Sequence, residues 1–147
     1  MNDLERVLKE AAALSSEIEE LQKLSSYHNY DDLSGLKIDY TDPEHLLLLD
    51  ELRLIMEKLS DAKRHIDYLC KPIQFTGTLF RNSRGKYELK NGHYYSCGSN
   101  IEALVSDDCR ESPYWIRSRV EHDGDDYYIV GCKDTSLEGL TARVRSL

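Results

Sequence analysis

No run of about 18 apolar residues, the length a membrane-spanning helix needs, occurs in this 147-residue chain. The clearest apolar run, Leu46 to Leu49, is far too short, so neither a transmembrane helix nor a membrane partner is expected. The first residues, Met-Asn-Asp-Leu-Glu, lack the basic and apolar regions of a signal peptide, and a cytoplasmic location is expected. Cysteine is sparse: Cys70, Cys97, Cys109 and Cys132 form no C-x-x-C pair, and His93 with Cys97 has no matching pair of ligands elsewhere. That excludes the usual zinc frameworks, and in a reducing compartment it predicts four separate thiols. No G-x-x-x-x-G-K-[ST], G-x-G-x-x-G or H-E-x-x-H occurs, so no phosphate cradle or zinc-protease helix is expected, and no cofactor is implied. Glu121-His122-Asp123 sets carboxylates beside an imidazole, but neighbours on a strand point to opposite faces and adjacency makes no relay. No Lys or Arg adjoins Cys97 to activate a thiolate, and Asp123, Asp125 and Asp126 lack the calcium-loop pattern. A non-enzymatic protein is the expectation.

What is present changes character near residue 70. Before it, apolar residues recur at alternating intervals of three and four; after it they alternate by two. Charge divides at the same place. Residues 1–70 hold 8 Lys/Arg against 16 Asp/Glu, whereas residues 71–147 hold 11 of each. The whole formal charge of −8 therefore belongs to the first part. The expected fold class is α+β: an N-terminal antiparallel helical hairpin, coiled-coil-like, over residues 1–70, followed by a small antiparallel β-sheet or SH3-like β-barrel over 71–147.

Helices are predicted at about 3–26 and 43–70. In the first, Leu4, Val7, Ala11, Leu14, Ile18 and Leu21 keep one stripe on one face. In the second, Leu48, Leu52, Ile55, Leu59, Ala62, Ile66 and Leu69 do the same. Asp42 is placed to cap the second helix and Pro43 suits its first position. The polar linker His28–Thr41 lets the two fold back on each other. Leu46, Leu47, Leu49 and Leu54 lie outside the main stripe, so the second helix is apolar on more than one side and must be covered. Either the helices pack on the β part, or the seam Leu48, Leu52, Ile55, Leu59 and Ile66 joins a second copy or a protein partner. The acidic outer faces fit a solvated surface, or imitation of nucleic-acid charge.

Strands are expected from Ile73 to Phe80 with a bulge at Gly77, at Lys86–Leu89, beyond Asn91-Gly92, at Ile101–Val105, Tyr114–Glu121, Tyr127–Val130 and Thr141–Leu147. Asn91-Gly92 is the best two-residue hairpin signal in the chain. A closed barrel would remove the edges of so short a sheet.

Five blocks occur in order: Arg81–Leu89, Ile101–Leu104, Trp115–Gly124, Tyr127–Gly131 and Leu137–Arg145. On these, residues 73–147 resemble the domain-of-unknown-function family 5348, with a longer turn at Asp107–Pro113 than that family usually has. The resemblance implies a bacterial protein of the Firmicutes, often carried on mobile elements. It brings no activity and no catalytic residue.

Trp115, Arg117 and Arg119 share one strand face, and Arg143 and Arg145 share another. Were those strands neighbours, one patch would form, extended by Arg81, Arg84 and Lys86. Arginine with aromatics suits phosphate contact and base stacking. The alternative is that these arginines pair with Glu102, Glu121 and Glu138, as the zero net charge of this half suggests. Tyr94, Tyr95, Tyr114, Tyr127 and Tyr128 offer a peptide groove or simply core and rim. The reading is thus an interaction protein, with nucleic-acid binding or acidic mimicry as alternatives.

Overall fold

The computed structural model describes residues 1–27, 33 and 35–146. The linker predicted at 28–41 therefore lies partly outside the described residues, as does Leu147. The chain divides into two compact units, Met1–Lys71 and Pro72–Leu147.

The first unit is a pair of helices, α1 (Asp3–Leu24) and α2 (Pro43–Cys70). Asn2 starts α1 with a reciprocal box: its side chain accepts from the Glu5 N–H at 2.8 Å, and the Glu5 carboxylate accepts from the Asn2 N–H at 3.0 Å. Asp42 caps α2, accepting from the Glu44 N–H at 2.9 Å. The helices run antiparallel. Ser15 Oγ donates to Asp67 at 2.5 Å and Gln22 Nε2 to Ser60 Oγ at 2.7 Å, seven residues on along α1 and seven back along α2. This register sets Ala12 level with Cys70, so the pair is staggered. Beyond the end of α1, α2 is covered by the connecting segment: Leu33, Leu49 and Met56 form a buried cluster flanked by Tyr27, Leu36, Ile38 and Leu59.

The stripe that α2 turns inward is Leu49, Arg53, Met56, Ser60, Lys63 and Asp67, all buried or half-buried. Leu48, Leu52 and Ile55 stand one residue earlier, about 100° around the helix, and are 49%, 41% and 45% exposed. Leu59 and Ile66 belong to this same outer stripe and are half-buried.

The inward contacts of the overlap are largely polar. Asp67 also accepts from Lys63 Nζ at 2.6 Å. The Lys63 and Ser15 hydrogen bonds hold the Asp67 carboxyl below the ordinary carboxylate value. A carboxyl depressed in the folded state stabilises above its unfolded pKa, and that contribution is lost as pH falls through the folded one. The hairpin is expected to become easier to unfold below about pH 4, with part of that acid sensitivity removed by Asp67→Asn. Urea titrations by far-UV circular dichroism across pH test this. An unchanged acid profile in the variant would discard it.

Among its described residues the second unit has eight strands: β1 (Ile73–Thr78), β2 (Phe80–Arg81), β3 (Tyr87–Glu88), β4 (Tyr94–Tyr95), β5 (Asn100–Val105), β6 (Tyr114–His122), β7 (Tyr127–Ile129) and β8 (Thr141–Arg145). They form a five-stranded sheet in the order β1-β8-β5-β6-β7 and a three-stranded sheet β2-β3-β4, with antiparallel neighbours throughout. The larger sheet is open and the SH3-like barrel is not formed. The last strand inserts between β1 and β5, which leaves β1 and β7 at opposite edges. The bulge in β1 falls between Ile73 and Phe75, not at Gly77. In the β3–β4 turn only Gly92 takes a positive φ, 93°. Its N–H closes a turn on the Leu89 carbonyl at 2.9 Å, so this is not a two-residue I′ turn, which needs two such residues.

Alternation builds the core. Ile101, Ala103 and Val105 of β5, Val120 of β6, Ile129 of β7 and Ala142 of β8 face inward, joined by Leu79, Tyr87, Leu89, Tyr95 and Leu137. Residues of the opposite parity, including Glu102, Arg117 and Arg143, therefore face outward.

Candidate functional site

β5 lies between β8 and β6, so the two arginine-bearing strands are not direct neighbours. What joins them is Glu102. It stands opposite Arg143 on one side and Arg117 on the other. Arg143 Nε donates to Glu102 Oε1 at 2.7 Å, and Arg145 Nε donates to Oε2 at 2.9 Å. The Arg145 Nη2 adds a bond to Oε1 at 3.1 Å. The Arg143 guanidinium also stacks over the Trp115 ring, 4.0 Å from its centroid. One guanidinium thus gives its edge to a carboxylate and its face to an indole. Although it points away from the core, Glu102 is 6% exposed. Arg143 and Arg145 cover it and are themselves only 18% and 11% exposed.

The remaining basic residues are placed differently. Arg117 and Arg119 are exposed, and Arg119 Nε donates to Glu121 at 3.1 Å. Arg81 ends β2, and Arg84 and Lys86 belong to the β2–β3 connection, in the other sheet. There the Arg84 guanidinium and Lys86 ammonium lie 5.2 and 5.4 Å from the centre of the exposed Tyr94 ring. The Arg81 N–H donates to Glu138 at 3.0 Å. Two basic–aromatic clusters are therefore built on two sheets, and the larger sheet's cluster is closed on a glutamate.

The tyrosines serve separate ends. Tyr95 is buried while Tyr94 is 44% exposed. Tyr87 is buried and its hydroxyl donates to Asp126 at 3.0 Å; burial, then that bond, raises its pKa. Tyr114 donates to Asp107. Its hydroxyl pKa is raised by that bond, which lowers Asp107's.

The Glu121-His122-Asp123 triplet diverges. Glu121 accepts from Arg119, while His122 Nδ1 accepts from the Gly124 N–H at 3.0 Å. Asp123 accepts from the backbone N–H groups of Asp125 and Asp126 at 2.9 and 3.0 Å. These two bonds, Asp126's first, hold its carboxyl below the ordinary value. Cys70, Cys97 and Cys109 are exposed and Cys132 is half-buried. Burial, with the nearby Asp107, pushes the Cys132 thiol upward, away from thiolate reactivity. Among the described residues no group of His, Cys, Asp or Glu could hold a metal ion, and no helix is long and apolar enough to cross a membrane.

Residues 77–144 match the model of the family described as Domain of unknown function (DUF5348). No curated protein and no solved structure matches the chain. The DUF5348 match starts inside β1 and ends inside β8, so it takes in Glu102, Trp115 and Arg143 but stops short of Arg145. The whole helical unit lies outside it.

The helical unit carries the most exposed apolar surface. On α1, Leu4, Val7, Leu14 and Leu21 are 81%, 67%, 51% and 38% exposed, while the residues turned inward are Leu8, Ala12, Ser15, Ile18 and Gln22. Leu4 lies on the inward face beyond the reach of α2; the other exposed residues of each stripe are offset from the inward stripe by roughly a quarter turn, toward lower residue numbers. Because the helices are antiparallel, equal offsets bring both stripes to the same side of the hairpin. The spacing alone marked these residues as a stripe. It did not show that the hairpin buries Ile18 of that stripe, half-buries Ala11, Leu59 and Ile66, leaves the others exposed and closes on a more polar one.

Proposed function

We propose that this protein is a non-enzymatic interaction protein that binds another polypeptide through the apolar side of its helical hairpin. The observation that carries this reading is the exposure of Leu14 and Leu21 on α1 and, further along the same side, of Ile55, Leu52 and Leu48 on α2, at heptad-like spacing. Apolar side chains in such a row are covered in a working assembly. The closure of Arg143 and Arg145 on Glu102 supports a structural role for those arginines over phosphate contact, since their donors already meet a carboxylate. On the family resemblance we place the protein in the bacterial cytoplasm, with a mobile element as its genetic setting.

A photo-crosslinking residue placed at Leu52 in the producing cell is expected to give a discrete adduct. The same residue at Glu57, on the opposite side of α2, is expected to give none. No adduct from position 52, or equal adducts from both, would remove the reading.

A further inference from the structure

We infer that the occupant of this apolar side is a basic amphipathic helix of another protein. The inference rests on the interaction reading above and adds the chemistry of the partner. Its first support is shape. With Ser15 opposite Asp67 and Gln22 opposite Ser60, the exposed residues form one line that leaves α1 where that helix ends and continues on α2: Val7, Leu14, Leu21, then Ile55, Leu52 and Leu48. At 1.5 Å per residue the line is about 40 Å long. Apolar residues one heptad apart on α1, and three and four apart on α2, are what one long helix laid in a groove engages.

The second support is charge. Glu10 and Glu17 on α1 and Glu44 and Glu51 on α2 are exposed and fall just outside the apolar line on its two borders. Among the described residues, Lys23, Arg53, Lys63 and Arg64 are drawn into ion pairs within the hairpin, with Glu20, Asp50, Asp67 and Asp61. The line is thus bordered by four carboxylates, in a part of the chain whose net formal charge is −8. A second copy would double that charge across one interface, whereas a helix with Lys or Arg beside its apolar stripe meets opposite charge on both borders.

The test uses the full chain and two fluorescent helical peptides of about four heptads, both with leucine at the seam positions. One carries lysine at the flanking positions and the other glutamate. Anisotropy titrations are run at low and high salt, and the mass in solution is measured by light scattering. The lysine peptide is expected to bind at least tenfold more tightly than the glutamate peptide, with the gap narrowing in high salt. Its binding should be lost in Leu52→Glu and Ile55→Glu, which change exposed residues and leave the inward stripe alone. Equal binding of both peptides overturns the basic partner and keeps the apolar docking face. Binding of neither peptide by a protein that is dimeric, and that Leu52→Glu makes monomeric, identifies a second copy as the occupant and overturns the inference alone. Binding of neither by a monomer overturns the inference and the interaction reading together.

Discussion

Glu102→Ala is expected to destabilise the β unit by about 3–5 kcal/mol, the range found when one partner of a buried ion pair is removed. Glu102 is buried among Arg143 and Arg145, each of which is less than a fifth exposed. Removing the carboxylate leaves two guanidinium groups, one held against Trp115, with their main acceptor gone and little room to reach water. Chemical denaturation followed by the fluorescence of Trp115, the chain's one tryptophan, reads the effect directly. Glu102→Gln keeps an acceptor and should cost less. The triple change of Glu102, Arg143 and Arg145 to leucine or methionine removes the charges together and should recover much of the loss, because well-packed apolar replacements of buried ion pairs are often close to neutral. A loss below about 1 kcal/mol in Glu102→Ala, typical of a surface pair, would show that the carboxylate is solvated and that the clamp contributes little.

Much of the architecture can be read from residue order, and the places where reading fails have physical causes. The change of period near residue 70 is enough for the α+β class, because a helix and a strand demand different spacings of the same apolar residues. The cap at Asp42 is equally local: its carboxylate needs only the N–H two residues on. Sheet order is not local. Nothing in residues 141–145 announces that β8 slips between β1 and β5. Asn91-Gly92 shows the limit of a dipeptide signal: both residues tolerate a positive φ, and only the glycine uses it. At the arginine face, alternation along β6 and β8 is enough to group Trp115 with Arg117 and Arg143 with Arg145. It cannot say which strand lies between them. The decisive residue, Glu102, comes from that intervening strand, where its outward parity beside Ile101 and Ala103 was the only local sign.

The hairpin makes the sharpest use of this distinction, because two adjacent positions are expected to behave in opposite ways. Ile55 belongs to the most regular apolar stripe of α2, and Met56 does not. By sequence pattern alone, Ile55→Ala should be the damaging change. In the structure Met56 is 1% exposed, packed in the cluster with Leu33 and Leu49, whereas Ile55 is 45% exposed. Met56→Ala should therefore cost about 2–5 kcal/mol through lost burial and the cavity left behind. The cluster is small and the rest of the interface relies on polar contacts such as Ser15 with Asp67 and Gln22 with Ser60. A loss of that size is a large fraction of what so small a unit has. Ile55→Ala should cost about 0.5 kcal/mol or less, as surface changes usually do. Both are measured by urea titration of the helical circular dichroism signal, at concentrations where light scattering finds one chain per particle. If the order of the two reverses, the hairpin closes on its apolar seam after all, and the uncovered face that supports a binding role disappears with it.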